Sequence, residues 1–260
     1  MKLFYREEGS DGPNLVILHG LFGSSDNWLP QAKMLAENFH VYLVDLRNHG
    51  QSPHSDEFNY DVMADDVVEL IDAEGISSPI LLGHSMGGKA AMTLALRQPD
   101  LPSAIVVIDI APRRYPDQHD RIVEGLLALP LAELTSRQEA DEALAPYVPE
   151  PPVRQFLLKN LKREPSGGFG WKMNLDTISR NISEVSKGVG NGSVFPGPTL
   201  FVRGGRSNYV ADDDLEDIRK LFPAARLETL DTGHWVQAEK PRELVDLVKA
   251  FGRELNGESD

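Results

Sequence analysis

The most constraining stretch of the chain is Ile80-Leu81-Leu82-Gly83-His84-Ser85-Met86-Gly87-Gly88-Lys89, a Gly-x-Ser-x-Gly set between a short apolar run and an amphipathic segment. A chain that turns sharply from strand to helix must let two backbones pass without a Cβ clash. Glycines two residues to either side of the serine give that room. The hydroxyl is then expected at the sheet edge, above a helix N-terminus that favours developing negative charge. Alone, such a pentapeptide also fits an inert packing turn.

The rest of the chain gives it a context. Apolar runs at Leu3 to Arg6, Leu15 to Leu18, Val41 to Val44, Ile80 to Leu82, Ala104 to Ile108, Thr199 to Val202 and Arg226 to Thr229 read as strands. Helical patterns fall at Asp61 to Asp72, Gly87 to Arg97, Asp213 to Leu221 and Arg242 to Leu255. This alternation predicts an α/β protein with a doubly wound, mostly parallel sheet. From Pro112 to Pro198 no buried strand is evident, which is too long for an ordinary connection. Helical patterns at Asp120 to Ala128, Arg137 to Leu144, Val153 to Lys162 and Leu175 to Val185 predict a helical cap, residues 112–198, inserted into a core of residues 1–111 and 199–260. Residues 256–260 read as a frayed tail.

Composition narrows the chemistry. Lys and Arg total 26 against 40 Asp and Glu, a formal charge of −14, which repels polyanions and argues against nucleic acid as a partner. With no cysteine there is no disulfide, thiol nucleophile or thiolate metal site. The charged N-terminal residues and the lack of a long apolar run predict a cytoplasmic protein with no membrane partner.

A serine nucleophile needs an oxyanion site, a base and an acid. Met86 N–H is one oxyanion donor by position, and the turn His19-Gly20-Leu21-Phe22-Gly23 offers the second, Leu21 N–H first and Phe22 in reserve. His19 is expected to brace that turn. Of the seven histidines, His234 alone follows the last strand, where the order serine, acid, histidine puts the base. Strand alternation points His84 away from the serine; His40, His54 and His119 are expected in solvent, and His49 is a candidate for the site wall.

The acid is less direct. After the strand at Thr199 to Val202, where an aspartate is usual, stands Ser207. Asp212 to Asp214 suit the first turn of a helix. Asp109 closes the apolar strand Ala104 to Ile108, where an unpaired carboxylate costs several kcal/mol, and His234 would supply the partner. Both assignments stay open on the residues alone; with Asp109 as acid, Ser207 would bond the carboxylate or the imidazole.

For substrate contacts the aromatic candidates are Phe22, Trp28, Tyr115, Phe169, Trp171, Tyr209 and Trp235, as walls of an acyl pocket or as plain core. Arg113, Arg114 and Lys172 are candidates for holding an anionic leaving group, against solvated charge.

Taken together, His19 to Gly23, Asp45 to Ser52, Gly83 to Lys89, Ile108 to Pro112, Phe169 to Leu175, Gly204 to Val210 and Gly233-His234-Trp235 resemble the YbfF-type bacterial esterases of the α/β-hydrolase superfamily, over nearly the whole chain. The resemblance implies the α/β-hydrolase fold, the acid at Asp109 with a serine at the later position, and carboxylesterase activity on short acyl chains, with acyl-CoA thioesters as an alternative substrate. It implies no metal and no organic cofactor. Two rivals remain: a carbon–carbon hydrolase or lyase on the same fold, and a binding module without catalysis. The oligomeric state is not legible.

Overall fold

The structure is a computed structural model that describes residues 1–117, 119–190 and 192–257. In chain order its elements are β1 (Tyr5–Glu8), β2 (Asn14–Leu18), α1 (Leu29–Leu35), β3 (His40–Val44), α2 (Tyr60–Ala73), β4 (Ile80–His84), α3 (Met86–Arg97) and β5 (Ala104–Ile108). Then come α4 (Asp120–Ala128), α5 (Arg137–Leu144), α6 (Pro151–Leu158), β6 (Leu161–Arg163), β7 (Phe169–Trp171), α7 (Leu175–Arg180) and α8 (Ile182–Ser186). The chain closes with β8 (Thr199–Gly204), α9 (Asp214–Leu221), β9 (Ala225–Leu230), α10 (Val236–Glu239) and α11 (Pro241–Leu255).

Seven strands form one sheet in the order β1-β3-β2-β4-β5-β8-β9. All neighbours are parallel except β1, which pairs antiparallel with β3 at one edge. Successive side chains of a strand face opposite sides, so an inner strand buried on both faces reads as an unbroken apolar run. Val16, Leu18, Leu81, Ile105 and Val107 pack with α2 and α3 on one face. Leu15, Ile17, Ile80, Leu82, Val106 and Ile108 pack with α1 and α11 on the other.

The segment between β5 and β8 carries α4 to α8 and the β6–β7 hairpin. Its Val123, Leu126, Leu144, Leu157 and Ile178 join the apolar cluster of α2 and α3, so it shares a core with the sheet. The predicted helices α4 and α5 stand where the periodicity put them. The region of Leu175 to Val185 is broken at Asn181 into α7 and α8, and α6 begins at Pro151, since proline is tolerated in a first turn. The β6–β7 hairpin was not expected; strands of three residues are too short to show a period, and the turn at Gly167 and Gly168 has φ of +95° and +73°. Helix α1 also escapes the pattern because Pro30 reads as a breaker where it opens a helix. At the C-terminus Asn256 and Gly257 bond back to the last turn of α11; 258–260 of the predicted tail lie outside the described residues. Among the described residues no helix is long and apolar enough to cross a membrane.

Candidate active site

Ser85 follows β4 directly and caps α3, with φ +52° and ψ −117°. That conformation is costly for an L-residue, on the order of 1–3 kcal/mol, and persists only where the surroundings over-determine it. The surroundings do: Ser85 N–H donates to Ile108 O at 3.0 Å and Lys89 N–H closes the first helical bond on Ser85 O at 3.1 Å. A Cβ on Gly83 would run into the backbone of Gly87, and one on Gly87 into Leu18 and His19, so the glycine spacing is enforced by backbone contact.

Asp109 ends β5 one strand away with φ +49°, fully buried. Its carboxylate is held from three sides. Gly204 N–H donates to Oδ1 at 2.9 Å, while Ser207 Oγ and His234 Nδ1 donate to Oδ2 at 2.5 and 2.8 Å. Three donors offset the cost of taking this carboxylate out of water. The bond also fixes the imidazole: Nδ1 carries the proton facing Asp109, leaving Nε2 as the free end. Of the two acid assignments, the structure brings Asp109 to His234. The other group is engaged elsewhere, Asp212 with Arg203 at 2.6 Å and Asp214 with Arg113 at 2.7 Å.

Two further groups fix His234. Tyr209 lies flat on the imidazole, ring centroids 4.0 Å apart and 19° between planes. His84 Nε2–H donates to His234 O at 2.9 Å, its ring 4.8 Å from the His234 ring. Strand alternation points His84 away from the serine, and its ring nitrogens bond His234 O and Gln237, bracing the histidine loop. Burial drops the His84 pKa to about 3, so it stays a neutral donor.

The turn after β2 is wired from beneath. His19 Nδ1–H donates to Gly20 O at 2.8 Å, and its Nε2 accepts Leu46 N–H at 3.0 Å, which is the brace expected of it. His49 lies behind the wall rather than on it: fully buried, it accepts Phe22 N–H on Nε2 at 3.2 Å and donates from Nδ1 to Arg47 O at 2.9 Å. Burial, then the nearby His19, lower its pKa to about 3 and keep that acceptor available. Phe22, at φ +59°, thus has its N–H engaged, and Gly23 N–H goes to Gly20 O. Leu21 N–H and Met86 N–H have no acceptor among the described residues.

Ser85 and His234 line one cavity of about 540 Å³, with Leu21, Phe22, Trp28, Tyr209 and Trp235 from the core loops. Ile122, Val153, Phe156 and Leu157 of the insertion close it from above, Phe156 lying 5.8 Å from Trp235. A second cavity of about 20 Å³ opens on the other side of Ser85, between Met86, Ile110, Tyr115 and Val185. Tyr115 therefore borders the small space. Trp171 lines neither; it pairs with Leu161 in the β6–β7 hairpin, and Phe169 is buried under Arg163. None of the proposed anion-holding cations borders the large cavity. Arg113 pairs with Asp214 and covers the Tyr115 ring at 4.1 Å, and Lys172 stands 4.0 Å from Asp26.

His119 corrects a further expectation. It lines both cavities instead of standing in solvent, and its Nδ1 has no partner among the described residues. Burial lowers its pKa, with the nearby His234 adding to the effect. No periodicity marks it, because it sits in an irregular stretch just before α4.

Such a sheet, with a serine on a strained strand-to-helix turn, an aspartate at the end of the neighbouring strand and a histidine in the loop after the last strand, defines the α/β-hydrolases. A sequence profile of the alpha/beta hydrolase fold matches residues 13–241. The chain is 40% identical over 248 residues to the mouse sn-1-specific diacylglycerol lipase ABHD11, covering 92% of this chain and 80% of that protein. It is 35% identical over 239 residues to esterase YbfF of Escherichia coli, covering 91% and 92%. A solved marine microorganism esterase superposes with a TM-score of 0.93 at 39% identity, over 96% of this chain and 99% of that one. This chain belongs to the α/β-hydrolase family, with the YbfF-type esterases among its relatives, and is a carboxylesterase-type hydrolase.

Proposed function

We propose that the enzyme cleaves carboxylic esters through an acyl-enzyme on Ser85, with His234 as base and acid and Asp109 as its orienting carboxylate. His234 Nε2 takes the hydroxyl proton as Ser85 Oγ bonds to the carbonyl carbon. The oxyanion that forms lies between Leu21 N–H and Met86 N–H, donors of a kind worth roughly 2.7–4 kcal/mol each in the transition state. The tetrahedral adduct then breaks its bond to the alcohol oxygen, which receives the proton from His234. Water attacks the acyl-enzyme by the same route, its proton passing through His234 back to Ser85 Oγ, and the carboxylic acid leaves. Ser207 and Gly204 hold the carboxylate, Tyr209 stacks on the imidazole and His84 holds the His234 carbonyl.

The observation that carries this reading is the 2.8 Å contact of Asp109 Oδ2 with the Nδ1 of His234, a residue that lines the same cavity as Ser85. The same steps would open a thioester. Among the described residues, however, the large cavity is walled by Glu150 and by no lysine or arginine, which favours uncharged esters over a polyphosphorylated leaving group.

A fluorophosphonate probe is expected to add one phosphonyl group to Ser85, read by intact mass and peptide mapping. Ser85→Ala is expected to lose the adduct and to lower ester turnover by roughly 10³-fold or more. An unlabelled wild-type protein that still hydrolyses esters would overturn the mechanism.

A further inference from the structure

The two cavities at Ser85 differ in which catalytic group they share. The 540 Å³ cavity has Ser85 and His234 in its wall; the 20 Å³ cavity has Ser85 but not His234. Ser85, His119 and Tyr209 form the partition between them. We propose that the alcohol half of the ester, and not its acyl half, fills the large cavity, so that the enzyme reads chain length on the leaving group. This rests on the serine-hydrolase reading above.

The direction follows from proton transfer. Once the carbonyl carbon is bonded to Ser85 Oγ and its oxygen faces Leu21 and Met86, two substituents remain. The one that departs must place its oxygen within reach of His234 Nε2, because that group protonates it. Of these two cavities the large one has His234 in its wall among the described residues, so the alcohol extends there, along Trp28, Val153, Phe156 and Trp235. The acyl group is left with the space between Met86, Ile110, Tyr115 and Val185.

That second space is small, and three of its walls, Met86, Ile110 and Tyr115, are firm, with half-buried Val185 and His119 and exposed Pro116 completing it. A volume of about 20 Å³ is little more than one water molecule's worth of room, which takes the methyl of an acetyl group and little beyond it. Met86, Ile110 and Tyr115 are 1, 3 and 6% exposed and belong to the main apolar cluster. The Tyr115 hydroxyl is pinned, accepting Ala111 N–H at 2.8 Å and donating to Tyr209 O. Its ring is covered by Arg113 and by Lys89 Nζ at 4.1 and 4.7 Å. A close-packed wall of this kind does not yield to extra methylenes without strain.

Isomeric esters separate the two orientations, because they have equal carbon number and differ only in which half is long. Octyl acetate is expected to exceed ethyl octanoate in kcat/KM by at least about tenfold, and alkyl acetates to gain up to about threefold per added methylene until the cavity is full. Phe156→Ala is expected to flatten the gain along the alkyl acetates and to leave the slope along the ethyl alkanoates as it was. Val185→Ala is expected to raise hexyl butyrate relative to octyl acetate by about threefold or more. Equal rates for the two isomers, or a preference for ethyl octanoate, in an enzyme that Ser85 labelling shows to be active, would overturn the assignment alone. Absence of both Ser85 labelling and Ser85-dependent turnover would overturn the serine-hydrolase reading, and the assignment with it.

Discussion

The ring of Tyr209 is stacked on the imidazole of His234 at a centroid distance of 4.0 Å, while the backbone of the same tyrosine is held by two other residues of the site. Its N–H donates to Ser207 Oγ at 3.2 Å and its carbonyl accepts the Tyr115 hydroxyl. The end of β8 and the loop after it therefore grip both members of the aspartate–histidine pair, Asp109 through Gly204 and Ser207 and His234 through Tyr209.

Tyr209→Ala removes the ring and keeps those backbone contacts. Aromatic stacking is worth roughly 0.5–1.5 kcal/mol beyond burial, so kcat is expected to fall by up to about tenfold, with Tyr209→Phe restoring it. The rate of fluorophosphonate labelling should fall in step, since it depends on the same serine and histidine. Labelling of Tyr209→Ala at the wild-type rate would show that the stack does not position the imidazole.

Asp109→Asn is expected to lower kcat by about 10⁴-fold, by presenting the wrong imidazole tautomer to the serine. Ser207→Ala removes one of three donors to the carboxylate and is expected to lower kcat about tenfold with KM unchanged. Asp212→Asn, on the exposed pair with Arg203, is expected to leave turnover within about twofold of wild type. Steady-state kinetics on one ester ranks the three, and a large loss at Asp212 alone would reassign the acid.

Three buried neutral histidines set the acid limit of the fold. Burial lowers the pKa of His19 and brings those of His49 and His84 to about 3. At His49 and His84, between about pH 3 and the unfolded value near 6.5, the unfolded chain binds protons that the native one does not. Their contribution to stability is therefore present above about pH 6.5 and is lost as pH falls, with a slope of about 1.4 kcal/mol per pH unit for each. Urea unfolding at pH 7.5, 6 and 5 should show falling stability, and His84→Gln should flatten the dependence by one proton. A pH-independent midpoint across that range would contradict it.

Lys89 tests the alkaline side. Fully buried on α3, it donates to Lys187 O and to Val185 O, the latter at 3.5 Å, and burial followed by repulsion from Arg113 lowers its pKa to about 7. Between pH 7 and about 10.4 the unfolded chain holds the proton and the native one does not, so stability rises with pH across that window and the contribution is absent below it. Relative to Lys89→Met, the wild type should gain up to about 1.4 kcal/mol per pH unit from pH 7 to 9.5 in urea unfolding. Parallel curves for the two proteins would place the charge on Lys89 throughout.

What was legible in the sequence followed from local signals strong enough to survive without a partner. The apolar run Ala104 to Ile108 matches β5, and Arg137 to Leu144 matches α5, because each has an unbroken period and a clear boundary. Asp109 was legible as a candidate for a different reason: a carboxylate ending a buried strand requires a partner wherever that partner comes from. What was not legible depends on contacts between distant elements. His84 reaches the His234 carbonyl across 150 residues of chain, and Asn160 of the insertion reaches Phe22 O across 138. Alternation along one strand cannot show such contacts, nor could it show that Trp171 belongs to a hairpin while His119 faces the serine.

Ser85 and Asp109 both stand at positive φ, a conformation in which glycine is at ease and every other residue is strained. At Ser85 that conformation is held against the backbone's own preference, and replacing the residue by glycine would relax the turn while removing the hydroxyl. At Asp109 the strain is offset by three hydrogen bonds to the carboxylate, so glycine there would leave Gly204 N–H, Ser207 and His234 without their acceptor. A related chain with glycine in the place of Ser85 alone would therefore turn from β4 into α3 with less strain and carry no hydroxyl there.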